Sequence, residues 1–414
     1  MKKMEKMGKM SLFEYLEDFS EISFHMPGHK GKIPFEIKDI TEIDGSDNFI
    51  CPTGVIKNSQ DLMAKALGKD EAFFLVNGAS SGIIAAILAH TTDSDTVLID
   101  RNCHSSVING LILSGAMPKY IYPEYNTKFG VPLPVKNINY NNEKMVVITT
   151  PTYYGDIADI KSIKEQCESS ILLCDEAHGA HFYFSERLKT PENTDISVIG
   201  FHKTMPALNQ GAVLCASKKY AKELKQTINI MSTTSPSYPI MASLDYSRIY
   251  GKKIYSNAET EREIEDLRSK IEVYNNHDFY KILVNCENSY YVNQIFREKY
   301  SINSEGVFGN NILFMLSPYN TLDEIKLLKT ALSEINPQKS REKIVILPKL
   351  ETILTPRQAF YAKSEIIEVK NAVNRISKES ITEFPPCVPI VAMGEKITKE
   401  ILPFIKREYI EVVK

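Results

Sequence analysis

The first two hundred residues alternate between short apolar runs and segments in which apolar positions recur every three or four residues. Five runs rich in β-branched side chains predict buried strands, at residues 73–76, 97–99, 146–149, 171–174 and 196–199. Between most of them, segments 81–90, 106–114 and 160–168 have helical spacing. This order predicts a mostly parallel sheet with helical crossovers, as in α/β proteins.

The pattern continues differently in the second half. Residues 212–215 form a strand candidate so close to the preceding strand that it would return antiparallel, which makes the sheet mixed. A charged helical pattern at 258–274 leads out of the large domain. Strand-like segments then alternate with helical ones, at 282–284, 292–299, 312–316, 322–335 and 343–347. We place an N-terminal arm and large domain at 1–290 and a small C-terminal α/β domain at 291–414, with the boundary between 275 and 310.

Composition narrows the class of protein. The chain has 414 residues, 43% of them apolar and 24% charged, which is typical of a globular protein with more than one core. Its net charge of −3 provides no field that would attract nucleic acid. The seven scattered cysteines indicate a reducing, cytoplasmic location. No segment approaches the ~20 apolar residues of a membrane span, and no apolar run follows the basic residues 1–10 as in a signal peptide.

Two residues carry the functional interpretation. Lys203 follows the predicted strand 196–199, and Asp175 ends the predicted strand 171–174. A lysine amine can form a Schiff base with a carbonyl cofactor, and an aspartate can keep a pyridine nitrogen protonated. Together they indicate pyridoxal phosphate chemistry. The other His-Lys pair, at residues 29–30, lies in a Pro-Gly turn without a preceding strand, and we discount it as the Schiff base.

Simpler interpretations of these stretches remain open. Asp175 could cap the next helix, and the two acids and two histidines of 175–181 could suggest a metal site, but their order is not His-Glu-x-x-His and we expect no metal. His104, just beyond strand 97–99, could stack on a cofactor ring, cap a helix or lie in the core. The hydroxyl-rich residues 232–239 are by themselves a loop.

Residues 77–82, with the sequence NGASSG, follow strand 73–76 and open a helix. Small residues there leave backbone N–H groups free to approach a phosphate, and the helix dipole contributes about 0.3–1 kcal/mol for an anion. The alternative is an ordinary N-cap formed by Ser80 or Ser81. The stretch matches neither the P-loop nor the dinucleotide fingerprint, so nucleotide binding is disfavoured.

Taken in order, these stretches resemble the ornithine/lysine/arginine decarboxylase family in its short bacterial form. The motifs that carry the resemblance are residues 25–31, 39–42, 74–78, 100–104, 175–181, 202–203, 234–238, 385–386 and 394–395. The resemblance implies a fold-type-I, aspartate aminotransferase-like large domain that binds pyridoxal 5'-phosphate. It also implies a small-molecule amino-acid substrate and a homodimer.

The resemblance implies a role for particular residues. Lys203 would form the Schiff base, Asp175 would pair with the pyridine nitrogen, and His104 and Ala177 would pack on the two ring faces. Lys203 or a neighbouring histidine, His178, would return the proton to Cα. The phosphate would lie near Ala79, Ser80, Ser81 and His202. Thr234 and Ser235 would reach the phosphate of the neighbouring subunit, so that active sites are shared across the dimer.

The chain departs from the family pattern at several positions. Gly200 stands where a phosphate-binding serine is usual, and Ser105 replaces a common lysine, which predicts reduced cofactor affinity. Asn48 and Ile50 replace an aspartate and a histidine, and Cys387 replaces a glycine. These changes bear on the substrate.

The resemblance therefore predicts decarboxylation of arginine, lysine or ornithine to a polyamine-type amine. Glu42, Asp44 and Asp47 form the acidic group that could hold the basic tail of such a substrate. Lysine and aspartate alone do not select which bond at Cα breaks. Another pyridoxal phosphate reaction, by a lyase or aminotransferase, and a non-catalytic cofactor-binding descendant are the alternatives.

Overall fold

The computed structural model describes residues 21–33, 36, 38–337, 340, 346–383 and 387–414. In chain order its strands and helices are β1 (Ile22–Phe24), α1 (Val55–Ala66), β2 (Glu71–Leu75), α2 (Gly78–His90), β3 (Thr96–Asp100), α3 (Ser105–Ser114), β4 (Met117–Ile121), β5 (Met145–Thr149), α4 (Ile160–Gln166), β6 (Ile171–Glu176), β7 (Ile196–Ile199), α5 (Phe201–Thr204), β8 (Ala212–Ala216), α6 (Lys218–Met231), α7 (Tyr238–Ile254), α8 (Ala258–Lys270), β9 (Lys281–Asn285), α9 (Ser289–Tyr300), β10 (Ile302–Ser304), β11 (Gly306–Phe308), β12 (Asn311–Met315), α10 (Leu322–Ile335), α11 (Pro356–Tyr361), β13 (Ser364–Glu368), β14 (Ile381–Glu383), β15 (Val388–Val391) and β16 (Tyr409–Val413).

A seven-stranded sheet with the order β2-β8-β7-β6-β5-β3-β4 forms the centre of the protein. Only β8 runs against its neighbours, so the predicted mixed, mostly parallel sheet and the antiparallel return at 212–215 are confirmed. In register, Thr149 of β5 pairs with Asp175 of β6, and Asp175 pairs with Val198 of β7. The carboxyl ends of β3, β5, β6 and β7 therefore meet at one edge of the sheet.

Alternate residues of the strands feed two cores on opposite faces of the sheet. Phe74 and Val213 face one cluster, while Leu75 and Leu214 face the other. Strands covered on both faces read as continuous apolar runs, which explains why the five predicted strands are found within a residue or two of their expected bounds. The edge strand β4 was not predicted, because Pro118 and Lys119 interrupt its apolar pattern.

Two further units follow the central sheet. Strands β11, β12 and β9 form an antiparallel sheet that packs with α9 and α10, and β10 pairs in parallel with the N-terminal strand β1. From residue 346 onward a C-terminal unit carries two small antiparallel sheets and a separate apolar core. The sheet of β9, β11 and β12 draws on residues on both sides of 290/291, and our domain division stays a prediction.

Two sequence predictions meet the limits of the described residues. The expected strand at 343–347 falls mainly outside them, and Ile346 and Leu347 are not in a strand. Residues 385–386 of the Pro-Pro motif also lie outside them. Within the part of the chain that the structure describes, no helix is both long enough and apolar enough to cross a membrane.

Candidate active site

A cavity of about 350 Å³ opens where the carboxyl ends of β3, β5, β6 and β7 meet. This is the edge at which parallel α/β sheets bind ligands. Eight of the residues that we singled out from the sequence line it, namely Ala79, Ser80, His104, Asp175, Ala177, His178, His202 and Lys203. The strand-end positions thus bring the predicted site together, although they are up to 124 residues apart in the chain.

Lys203 lies on the single turn α5, directly after β7, and its amine faces the cavity. Burial lowers the pKa of Lys203, and the carboxylate of Asp175 opposes this shift. The Lys203 Nζ lies 3.0 Å from His178 Nε2. Burial, reinforced by the charge of Lys203, holds the pKa of His178 well below its usual value, so the imidazole is neutral and can accept a hydrogen bond from the amine.

Asp175 is the next-to-last residue of β6 and is 4% exposed. Its Oδ1 accepts a hydrogen bond from the backbone N–H of Ala177 at 3.1 Å, which fixes the carboxylate against the wall that Ala177 provides. No α-helix follows at once, since the next element is the short 3₁₀ turn Ala180–Tyr183. The helix-capping interpretation of Asp175 is therefore wrong, and the carboxylate is directed at the cavity.

His104 combines two of the roles left open by the sequence. It is the N-cap of α3, with Nδ1 accepting a hydrogen bond from the Ser106 backbone N–H at 3.1 Å, and its ring also lines the cavity. Burial lowers the pKa of His104 despite the opposing charge of Asp175. The capping bond orients an uncharged imidazole that can pack against a flat ligand.

The amino end of α2 opens onto the same cavity. The helix begins at Gly78, whose φ of 78° favours glycine, and the Gly78 N–H donates to the Gln210 carbonyl at 2.9 Å. No side chain caps this helix end, so the proposed N-cap by Ser80 or Ser81 is wrong. Ser81 instead donates its hydroxyl to the Gly78 carbonyl at 2.8 Å and does not line the cavity.

His202 lies beside this helix end. Its Nδ1 is 3.1 Å from the Gly211 carbonyl and donates to it, while burial lowers the pKa of His202 to about 4. Thr234 and Ser235 are exposed on the loop before α7, outside the cavity. Their predicted contact with a neighbouring subunit stays a prediction.

The departures from the family pattern have local structural counterparts. A Cβ on Gly200 would stand well under 3.0 Å from the carbonyl oxygen of Ala177 and 3.2 Å from the Ala177 carbonyl carbon. The glycine therefore allows the backbone of Ala177 to approach α5 closely. Cys387 has a φ of 65°, and its carbonyl accepts from the Ser105 N–H at 3.1 Å.

The C-terminal unit forms part of the cavity wall through Val388. A buried ion pair fixes this unit to the end of β3: Arg101 donates to Glu395 at 2.9 Å, and the two side chains are 8% and 0% exposed. The same guanidinium donates to the carbonyls of Pro389 and Ile390. The wall is thus held by a network whose polar groups are hydrogen-bonded.

The acidic residues considered for the substrate tail are engaged locally. Both carboxylate oxygens of Asp47 accept backbone N–H groups, from Asn48, Thr53, Gly54, Ile56 and Lys57. Burial opposes them, but these donors lower the pKa of Asp47 to about 2. Glu42 accepts from the Phe49 N–H at 2.9 Å. These carboxylates organise the loop before α1, and Asp44 is exposed.

Gly78 and Asn102 lie in stretches that the sequence analysis singled out, but other cavity residues escaped it: Ile83, Ser106, Thr149, Pro151, Tyr153, Asn209, Gln210 and Val388. Thr149 ends the predicted strand 146–149 and Pro151 follows it, so the rule that ligands bind at strand ends could have found them. The discounted Lys30 is also buried, and burial lowers its pKa to about 7. Its amine donates to the carbonyls of His25 and Met315. Among the described residues, no cluster of three or more potential ligands could hold a metal ion.

A lysine just after one strand and an aspartate at the end of its neighbour, on a mixed sheet of this order, define the fold-type-I class of pyridoxal phosphate-dependent enzymes. The crystal structure of the lysine decarboxylase LdcF of Francisella novicida has the same fold, with a TM-score of 0.76. The two chains are 18% identical, and the match covers 89% of this chain and 73% of that one.

Family comparison narrows the class. Residues 9–296 match the Orn/Lys/Arg decarboxylase major domain, and residues 339–413 match the C-terminal domain of the same family. This chain belongs to the Orn/Lys/Arg decarboxylase family and is an amino-acid decarboxylase of the pyridoxal phosphate-dependent type. The resemblance inferred from its motifs is confirmed.

Two relatives from Bacillus subtilis match nearly the whole chain. The arginine decarboxylase of that organism is 30% identical, over 93% of this chain and 90% of its own. A protein named only as uncharacterized YaaO is 31% identical over the same shares.

Proposed function

We propose that this enzyme decarboxylates arginine, lysine or ornithine, with Lys203 as the residue that attaches the cofactor. The observation that carries the proposal is the shared cavity of the Lys203 amine and the Asp175 carboxylate, both buried, at the carboxyl edge of the sheet. The relatives named arginine decarboxylase and lysine decarboxylase support a basic amino acid as the substrate.

The cavity residues fit pyridoxal 5'-phosphate. The uncapped amino end of α2, at Ala79 and Ser80, would hold the phosphate, and His202 would lie beside it. The Thr149 Oγ1 in the same wall is buried without a hydrogen-bond partner among the described residues, so a polar ligand group there would satisfy it. The donor set therefore suits an anionic, polar, flat cofactor.

Three residues would hold the ring of the cofactor. Asp175 would contact its nitrogen, a charge-assisted interaction of about 1.5–3 kcal/mol. His104 and Ala177 would pack on its faces. When bound, the cofactor supplies an electron sink for the pair of electrons that remains at Cα after the carboxylate leaves.

Proton transfer falls to Lys203 and His178. The lowered pKa of Lys203 leaves more of its amine uncharged and nucleophilic near neutral pH. The neutral His178, 3.0 Å from that amine, can accept a proton from it or return one. These two groups would deliver the proton that takes the place of the released carbon dioxide at Cα.

The proposal includes a homodimer in the cytoplasm that contributes to polyamine-type amine formation. The exposed loop with Thr234 and Ser235 is available to a second subunit. The seven free cysteines, most of them buried, support a reducing compartment. Mixing a Lys203→Ala subunit with a Thr234→Ala/Ser235→Ala subunit tests shared sites: activity should appear in the mixed dimer if each site draws on both chains.

Carbon dioxide release from arginine, lysine and ornithine, measured with the cofactor present, tests the reaction and selects the substrate. Lys203→Ala should abolish both the release and the visible absorbance band of the bound cofactor. Lys30→Met is the matched control, because Lys30 is a second buried lysine after a histidine, and this variant should keep the band. A band that persists in Lys203→Ala, or no release from any basic amino acid, contradicts the proposal.

A further inference from the structure

Tyr153 lines the cavity from the loop between β5 and α4, and it is 7% exposed. Its ring packs edge-to-face against the imidazole of His178, with centroids 5.1 Å apart and an interplanar angle of 80°. His178 in turn contacts the Lys203 amine. Tyr153 is therefore one side chain removed from the residue that would attach the cofactor.

The imidazole of His178 is oriented by ring packing rather than by a hydrogen bond at its second nitrogen. A functional imidazole is ordinarily oriented by a hydrogen bond at the nitrogen that does not do the chemistry. The Nδ1 of His178 is buried and has no such partner among the residues that the structure describes. The Tyr153 ring is thus a principal constraint on the direction in which His178 Nε2 points.

The hydroxyl and the backbone carbonyl of Tyr153 both bind residues in or next to the sheet of β9, β11 and β12. Its hydroxyl donates to Glu305 Oε1 at 2.7 Å, in the link between β10 and β11. Its carbonyl accepts from Lys281 Nζ at 3.1 Å, at the start of β9. Lys281 is 2% exposed and lies 3.9 Å from Asp278 Oδ2. The other oxygen of Glu305 accepts from the Met26 N–H at 3.0 Å, so the clamp is itself fixed.

We propose that Tyr153 is a positioning residue. Held by Glu305 and Lys281, it keeps His178 against the Lys203 amine and excludes water from that amine. The inference rests on the proposed role of Lys203 as the residue that attaches the cofactor, and it adds that this role requires Tyr153. It assigns a task to two buried or half-buried charges, at Lys281 and Glu305, that the decarboxylation itself does not use.

The charges around Lys203 determine the direction of the expected effect. The titratable groups that interact electrostatically with its amine are Asp175, Glu305, Cys387, His104, His178, His202 and Lys281. Removing the Tyr153 side chain replaces none of these groups, but it takes the hydroxyl away from Glu305 and the packing ring away from His178. The loss of the ring admits water, which weakens the desolvation that lowers the pKa of Lys203, and the amine becomes more protonated at neutral pH.

The experiment adds pyridoxal phosphate to the apoprotein and follows the rate of appearance of the visible band against pH. Tyr153→Leu should move the midpoint of this profile upward by about one pH unit, and slow attachment at neutral pH about tenfold. Tyr153→Phe, which keeps the ring but loses the bond to Glu305, should slow attachment about 2–10-fold. Tyr154→Phe is the control: this neighbour packs on Tyr153 but does not line the cavity, and its profile should match the wild type.

A Tyr153→Leu profile with the wild-type midpoint overturns the inference, even where turnover falls. If Tyr153→Leu does not fold, Tyr153→Phe decides, and attachment at the wild-type rate overturns the inference. The results distinguish failure of the proposed function from failure of the inference about Tyr153. A band that survives Lys203→Ala overturns the proposed function, whereas a lost band with unchanged Tyr153 profiles overturns only the role of Tyr153.

Discussion

Replacing Gly200 by serine should weaken the binding of the cofactor. The resemblance alone suggests the opposite, because it implies a phosphate-binding serine at this position, which Gly200→Ser would supply. In this protein the new Cβ would meet the Ala177 carbonyl at well under 3.0 Å, and a backbone carbonyl cannot rotate away as a side chain can. Either Ala177 or the turn α5 must move.

The size of the effect follows from ordinary overpacking. Forcing extra atoms into a packed interior costs about 1–3 kcal/mol. Ala177 lines the cavity and Lys203 lies on α5, so this strain falls on the cofactor site. Converted at 1.4 kcal/mol per factor of ten, it corresponds to roughly 5–150-fold weaker cofactor binding if the full cost appears in the bound state.

The assay is a titration of the apoprotein with pyridoxal phosphate, read by absorbance, together with a melting curve of the apoprotein. Gly200→Ala is the matched control, since it adds the Cβ without the hydroxyl. Both variants should bind the cofactor more weakly and melt earlier than the wild type. Tighter binding by Gly200→Ser than by the wild type would show that the close approach of Ala177 is not what selects glycine here.

Three other perturbations test separate parts of the structure. Arg101→Met leaves the Glu395 carboxylate buried without its cation and should cost about 3–5 kcal/mol of unfolding free energy, and adding Glu395→Gln should recover part of the loss in a denaturant titration. Asp175→Asn keeps the shape of the strand end but removes its charge, so the visible band should form while kcat falls about 10–150-fold, and an unchanged kcat would exclude Asp175 from the ring nitrogen. Asp47→Asn should cost about 1–2 kcal/mol at neutral pH by loosening the loop before α1. Because the folded pKa of Asp47 is depressed to about 2, this cost should persist down to about pH 4 and shrink as the pH falls toward 2. A constant difference across that window would contradict the role of the Asp47 carboxylate in holding the loop.

The central sheet was predictable because its strands are covered on both faces. Burial on both sides produces uninterrupted apolar runs, and the short link to residues 212–215 left only an antiparallel return. The edge strand β4 escaped prediction because Pro118 and Lys119 interrupt its pattern, and β1 escaped because it depends on a distant partner. Among the described strands, the three residues of β1 pair only with β10, some 280 positions later, and no local pattern records that contact.

The residues of the candidate site also fall into those that the sequence could predict and those that it could not. Lys203 and Asp175 were found because each follows a recognisable strand, and strand ends of a parallel sheet converge. Tyr153, Lys281 and Glu305 could not be connected from the sequence, since their contact depends on how the smaller sheet packs against the loop after β5. The acidic group near Asp47 suggested a substrate contact, but its backbone donors became visible only in the folded loop.

Because Val388 forms part of the wall, the cavity is not complete within the major domain, residues 9–296. A polypeptide that stopped before residue 388 would keep the lysine and the aspartate, yet it would leave the cavity open to solvent and Arg101 buried without a counter-ion. Gene fragments that encode only the major domain should therefore not be counted as small decarboxylases. The C-terminal unit, from residue 346 onward, closes this side of the cavity through Val388.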